Sequence, residues 1–401
     1  MKRIGILTFH RSVNNGAVMQ AYSLSKRIAS EFPETKVEII DYHMKKIDEY
    51  YQYTFSKYIK SDSIIIKAKK CAKLILDPTM IRRLNNRTTI FYDSINNLPL
   101  SETKIISDSA DELYNYINSS YDVVIVGSDA VWNHIVRGFP NPYLPDMRVH
   151  CKKMSYAASC YGMDFLKCTA SEKEAIGKSL NDFSFVGVRD DATEDFVKWS
   201  GSKSVPIHTC DPTAFLDIRS IPVNEKDLKQ KLAKRGFDFS KPTIGMMGNE
   251  KMCSMIRSMY GKRYQIVALY VYVKKADVNL YDLTPYEWAY VFRYFKLLFT
   301  TYFHGTLLAL RNGVPLICIS LNNSFEQKHK AKALDILERV GYSDWYFFTD
   351  YNGLNYNEIK EKADELLSSN IKEEIIFRID EEAKSFENFN IALKKIINLE
   401  D

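Results

Sequence analysis

The sequence predicts an α/β protein made of two doubly wound, Rossmann-like domains that face each other across a cleft. Three observations predict it. Apolar, β-prone runs alternate with helix-prone runs along most of the chain, the signature of a mostly parallel sheet covered on both faces. After a polar, lysine-rich stretch at 224–242, "NEKDLKQKLAKRGFDFSKP", the same alternation starts again. The 401 residues are enough for two full cores.

The first unit is expected over 1–218. It opens with the strand "RIGILTF", the helix "AVMQAYSLSKRIAS" and the strand "KVEIIDY". A basic helical insertion follows at about 43–90. Then come "DVVIVGS", "KMSYAAS", "FSFVGVR" with the helix "DDATEDFVKWS", and "VPIHTCDPT". The second unit, 219–371, restarts with "TIGMMGN", runs through "YQIVALYVYV" and the helix "TPYEWAYVFRYF", and reaches "LLFTTYFHGTLLALRNGVPLICIS". That last stretch reads as strand, helix and strand, with Gly313 in the place of a helix C-terminal glycine. A C-terminal helix over 372–401 has no strand after it and is expected to pack back on the first domain.

Composition narrows the function. The charged and apolar fractions are those of a globular protein, and no apolar run reaches the length of a membrane span. Met1 leads directly into the first strand, so the chain is expected to be cytoplasmic, or held at the inner face of a membrane. The seven cysteines are scattered without a C-x-x-C pair, which points to reduced thiols rather than a disulfide frame, and no metal-ligand spacing is visible. A formal charge of +5 is mild for this length and no RNA-binding motif accompanies it, so nucleic acid is not an expected partner. The basic excess is local: from Lys45 to Arg87 there are eleven Lys or Arg against four acids, a net of +7. The ordinary reading of 45–87 is a pair of solvated amphipathic helices. The functional one is peripheral contact with an anionic polymer or with headgroups around a lipid-linked acceptor.

In open α/β sheets ligands gather beyond the carboxyl ends of the strands, so the residues that follow each strand carry the chemistry. After the first strand come Arg11, Asn14, Asn15 and Gly16, which open a helix where glycine allows close approach or asparagine simply caps. Ser128 and Asp129 follow an apolar strand, and Asp129 suits either a general base or an N-cap. Arg189 ends another strand, where its guanidinium can hold a carboxylate or phosphate at two points or pair with Asp190 or Asp191. Asp211 and Pro212 read as a turn toward the linker. His304, Gly305 and Thr306 open a helix whose unpaired N–H groups and dipole attract anions.

The order of "NNGAVMQAYSL", "IVGSDAVWN", "YAAS", "VGVRDDAT", "CDPT" and "FHGTLLAL" resembles the polysaccharide pyruvyl transferase family from Ile4 to about Gly341. The resemblance implies a GT-B-like fold and transfer of the pyruvyl unit of phosphoenolpyruvate to a sugar of a cell-surface polysaccharide or its precursor. No cofactor is implied beyond that donor substrate. The acceptor would be a sugar, an oligosaccharide or a lipid-linked saccharide. Arg189 matches an arginine that holds the donor, His304 a histidine near its phosphate and a candidate acid, and Asp129 becomes the candidate base. Where the family carries Arg-Leu-His, this chain has Tyr302, Phe303 and His304. Lys332, Arg11, Lys328 and Lys330 are candidates for the missing charge. The alternatives are a GT-B glycosyltransferase using a nucleotide sugar and a non-catalytic binding protein of polysaccharide assembly.

Overall fold

The run Val123–Val126, VVIV, is buried at every position, as a strand covered on both faces must be. In the computed structural model it is β4 of a seven-stranded parallel sheet ordered β3-β2-β1-β4-β5-β6-β7. The strands are β1 Arg3–Leu7, β2 Lys36–His43, β3 Leu100–Ile106, β4 Val123–Val126, β5 Lys152–Ala158, β6 Phe183–Val188 and β7 Pro206–His208. In register, Ile6 lies beside Ile39 on one side and Ile125 on the other. A second parallel sheet has six strands, β10-β9-β8-β11-β12-β13. They are β8 Thr243–Met247, β9 Gln265–Leu269, β10 Val278–Leu280, β11 Leu297–Thr300, β12 Leu316–Ile319 and β13 Tyr346–Phe347. The structure describes residues 1–45, 53–61, 63–320, 330–348 and 355–398, without the side chains of 136 and 137. Lys328 and parts of the insertion, 46–52 and 62, lie outside them.

Both sheets were expected, but three strands escape a sequence reading. β3 carries exposed Glu102 and Lys104 in place of an apolar run, and β10 and β13 have only three and two residues. The stretch after β9, "YVYV", does not continue the strand, because Tyr270 turns out of it at φ 70°.

The two domains share one core. One face of the first sheet, with Ile4, Ile6, Val18 and Met154, is continuous with the interior of the second domain through Ile244, Leu298 and Leu308. Helix Asn15–Glu31 lies against helix Pro285–Val291, where the rings of Tyr22 and Tyr286 meet edge to face at 5.4 Å. The expected C-terminal helix is two, Lys372–Ala383 and Phe386–Asn398, broken by a turn at Lys384 and Ser385. The second sets Phe389 against Tyr156 and Phe185 of the first sheet. His208 and Glu382, 2.7 Å apart, tie the first of them to β7.

Candidate active site

The site begins at the carboxyl end of β4. Gly127 has φ 118°, and a Cβ there would stand 2.2 Å from the Tyr156 carbonyl oxygen, so glycine alone fits. Two residues later Asp129 takes φ 78°, a left-handed conformation costing a non-glycine residue about 1–3 kcal/mol. It is held by a bridge to Ala158, whose strand shifts register between Ser155 and Ala158 and has Ala157 at φ 48°. This irregular end of β5 turns Asp129 toward the end of β6. There the Arg189 backbone N–H donates to the Ala158 carbonyl at 3.1 Å.

Arg189 is 4% exposed and lies among three aspartates. Its Nη1 donates to Asp211 Oδ2 at 2.9 Å, while Asp129 is 3.7 Å from Nη2 and Asp190 3.8 Å from Nε. Burial alone would depress its pKa, but Asp211, Asp129 and Asp190 outweigh it and hold the guanidinium above its ordinary value. Nε and Nη2 are nonetheless buried without a hydrogen-bond partner. An arginine whose charge is matched but whose donors are unspent suits a planar oxyanion.

Asp211 is the hub. It accepts from Arg189, from Ser128 Oγ at 3.3 Å and from the Thr213 N–H at 2.9 Å. Burial would raise its pKa, but His304 and Arg189 hold it well below the carboxylate range. Ser128 is itself fixed from behind: its N–H donates to Gln20 Oε1, and Gln20 Nε2 donates to Thr8 Oγ1. Asp129 likewise stays ionised, since Arg189, Lys332 and His304 together overcome the upward push of burial. Its Oδ1 accepts from the Ala130 N–H at 2.8 Å.

The second domain brings His304. Helix Phe303–Arg311 has no side-chain cap at Tyr302, so its first N–H groups keep their capacity for an acceptor. His304 Nε2 stands 3.7 Å from Asp211 Oδ2 without a hydrogen-bond partner. Its ring lies on the first domain: a Cβ on Gly16 would meet His304 Cγ and Nδ1 at 2.2 Å. Gly16 therefore serves the approach of His304. Asn14 caps helix Asn15–Glu31 by accepting from the Gly16 N–H, and Asn15 is buried at its start.

Lys332 opens helix Lys332–Arg339 and is the basic candidate that reaches this group. Its ammonium lies over the rings of Tyr161 and Phe303 at 4.6 and 5.3 Å, with no ion pair among the described residues. Burial and the neighbouring Arg189 push its pKa down despite Asp129, Asp190 and Asp211. Phe303 also lies under the Arg189 guanidinium, 4.8 Å away. The cavity among Arg189, Asp211, Phe303 and Lys332 is about 10 Å³, room for one water. A larger, mostly apolar hollow of about 720 Å³ beside helix Ala170–Asn181 contains none of these residues.

Other expected residues lie differently. Arg11 is not a spare cation, because both ends of its guanidinium are bound by Asp41 at 2.5 and 2.6 Å. Lys330 is committed to Asp191, Glu338 and Asp335. Thr306 does not face an anion, since its hydroxyl turns back to the Tyr302 carbonyl. Gly305 faces inward, where a Cβ would meet Thr300 Oγ1 at 2.6 Å and Met247 Sδ at 2.8 Å. Tyr302 packs edge to face on Tyr270 at 5.5 Å. The unforeseen cation near it is Arg87, from helix Met80–Ile95 of the insertion. Arg87 lies 3.7 Å over the Tyr270 ring and donates to the Tyr270 carbonyl at 3.1 Å. Its charge acts on Tyr302, and its Nε is buried without a partner. No local signal marks Arg87, whereas the strand-end position of Asp211 and the need of Arg189 for a carboxylate could have marked Asp211. Among the described residues no His, Cys, Asp and Glu cluster has a metal-holding arrangement.

Comparison with solved structures places this architecture. A Listeria monocytogenes protein assigned as a UDP-N-acetylglucosamine 2-epimerase aligns over 100% of this chain and 98% of its own, with TM-score 0.52 and 10% identity. The UDP-GlcNAc 2-epimerase of Neisseria meningitidis, solved with UDP-GlcNAc bound, aligns over 98% and 100%, with TM-score 0.51 and 9% identity. At such identities the likeness speaks for the fold, a two-domain GT-B arrangement. No curated protein sequence gives a significant match. The polysaccharide pyruvyl transferase family model matches residues 14–323, a span holding Gly16, Asp129, Arg189, Asp211 and His304, and the chain belongs to that family.

Proposed function

We propose that the chain transfers the pyruvyl unit of phosphoenolpyruvate to two hydroxyls of a sugar in a surface polysaccharide or its precursor, forming a ketal. Family membership supports a transferase. The observation that carries the donor is the convergence, from both domains, of Arg189 Nε and Nη2 and His304 Nε2, all buried and unspent, beside the unpaired Lys332. A carboxylate and a phosphate on one small molecule would use such a set.

In this reading Arg189 holds the carboxylate. Lys332, His304 and the N-terminus of helix Phe303–Arg311 hold the phosphate. His304 delivers a proton to the methylene carbon, making C2 electrophilic. One sugar hydroxyl adds to C2, inorganic phosphate leaves by cleavage of the C2–O bond, and the second hydroxyl closes the ketal. Of the two hydroxyl protons one replaces that given by His304 and the other leaves with phosphate, and Asp129, held as a carboxylate, is the acceptor base. Asp211 and Ser128 position Arg189.

Titration calorimetry with phosphoenolpyruvate and a panel of nucleotide sugars tests this. Wild type should bind phosphoenolpyruvate, and Arg189→Ala and His304→Ala should each weaken it by about thirtyfold or more, the value of one charge-assisted contact. Binding of a nucleotide sugar and not phosphoenolpyruvate would replace the reading with a glycosyl transfer. Binding of neither would make the chain a non-catalytic member.

A further inference from the structure

Helices of folded proteins turn their apolar stripe inward. Helix Ile64–Leu76, IIIKAKKCAKLIL, turns it out. At 100° per residue, Ile64, Ile75, Ala68, Ala72, Ile65 and Leu76 fall within one arc of about 120°. On that arc Ile64, Ile65, Ile75 and Leu76 are 85, 69, 78 and 82% exposed, and Leu74, on the other side, is the helix's one buried residue. Exposed lysines flank the stripe, Lys67 on one edge and Lys69 and Lys73 on the other. Among described residues 53–87 the one acid, Asp77, is spent on Arg83. The next helix, Met80–Ile95, lays Arg83 over Tyr272 at 3.9 Å and Arg87 over Tyr270. Both tyrosines follow β9 in the second domain, so this next helix ties the insertion to that domain.

We infer that helix Ile64–Leu76 docks this face of the protein on an anionic lipid bilayer. The apolar arc would enter the boundary between headgroups and acyl chains, while Lys67, Lys69 and Lys73 reach anionic headgroups from its edges. Thirteen residues make a helix of about 20 Å, too short to span a bilayer and suited to lying on one, and no described helix is long and apolar enough to cross it. A second copy of the chain fits the face less well, because a two-fold contact through the stripe would set the same lysines against each other. The inference rests on the pyruvyl transfer reading only for its consequence: the enzyme would work at the surface where an acceptor is carried on lipid.

The test is co-sedimentation of the full chain with phosphatidylcholine vesicles, with and without phosphatidylglycerol. Binding is expected to the mixed vesicles alone and to weaken as salt rises. Replacing Ile64, Ile65, Ile75 and Leu76 together by Asn should abolish it without lowering Tm, because these side chains pack against little. Lys67→Glu, Lys69→Glu and Lys73→Glu combined should weaken it about a hundredfold or more, as several charges near an anionic surface do. Phosphoenolpyruvate binding should be the same in both variants. Failure of wild type to bind mixed vesicles, equal binding by the Asn variant, or a lipid-free dimer that the Asn variant dissolves would each overturn the inference. Absence of phosphoenolpyruvate binding in wild type would instead defeat the functional proposal and leave membrane docking standing.

Discussion

Gly16 lies under the His304 ring with no room for a methyl group. Helix propensity alone would favour Gly16→Ala by about 1 kcal/mol, yet the ring cannot stay where it is. The variant should lose most turnover and some stability, and His304→Ala in the same background should recover the stability. A double-mutant cycle in Tm would show coupling of about 1 kcal/mol or more, and additivity would mean the two residues do not touch. Asp211→Asn makes a different prediction. Because the folded pKa of Asp211 is depressed, its stabilisation is fully present above the ordinary carboxylate range and is lost progressively as pH falls from that range toward the depressed folded pKa. Near neutral pH the variant should be about 3–5 kcal/mol less stable, since a buried guanidinium loses its closest anion. Its disadvantage should shrink in acid, and equal Tm profiles from neutral pH downward would refute the assignment. Lys332 runs the other way: with its pKa lowered in the free protein, it sheds its charge earlier than a free lysine as pH rises. Phosphoenolpyruvate affinity should fall below the usual lysine range of about 10.4, and Lys332→Arg should extend it upward. Gly16, His304 and Lys332 were legible because each stands at or near a helix start, whereas Asp211 read only as a turn toward the linker. Arg11 stands near a helix start too, but its partner Asp41 belongs to the neighbouring β2, and sequence position does not reveal which strand lies beside which.

At the scale of elements, periodicity tells which side of a helix is apolar but not which way that side points. Helices Ile64–Leu76 and Met80–Ile95 were legible as amphipathic and basic, whereas the docking of the second was not, because it depends on tyrosines far along the chain, Tyr270 lying 183 residues from Arg87. Helix Met80–Ile95 buries Phe91 and Ile95 in the shared core and reaches the second domain through Arg87. It brings a positive charge to Tyr302. Arg87→Gln keeps hydrogen-bonding capacity and removes the charge. If that charge helps to hold an anion, the variant should bind phosphoenolpyruvate about tenfold more weakly with Tm nearly unchanged. A loss of Tm with unchanged affinity would make Arg87 a structural clasp between the insertion and the second domain. Tyr302→Arg in the Arg87→Gln background should restore affinity only in the first case.

For the whole molecule the question is how a donor enters. The continuous core and the joint between Gly16 and His304 argue against wide separation of the domains, while the 10 Å³ cavity beside Arg189 admits nothing larger than water. Entry therefore requires a local opening on the side of Phe303 and Lys332. That side is fastened where Lys330 and Arg339 of the second domain each approach Asp191 of the first at 2.7 Å, with Asp335 3.1 Å from Arg339. Asp191 and Lys330 are partly exposed, so each pair contributes only about 0.2–1 kcal/mol. A fastening of that strength would yield on the timescale of turnover and still close over the donor, excluding water from the charged intermediate. Asp191→Asn should loosen it without touching Arg189, His304 or Lys332. Stopped-flow fluorescence should then show phosphoenolpyruvate associating about threefold faster, and added salt should speed wild type toward the variant while leaving the variant little changed. If both associate at one rate across the salt range, the Asp191 cluster is not the gate, and Phe303→Ala becomes the substitution that must open the path.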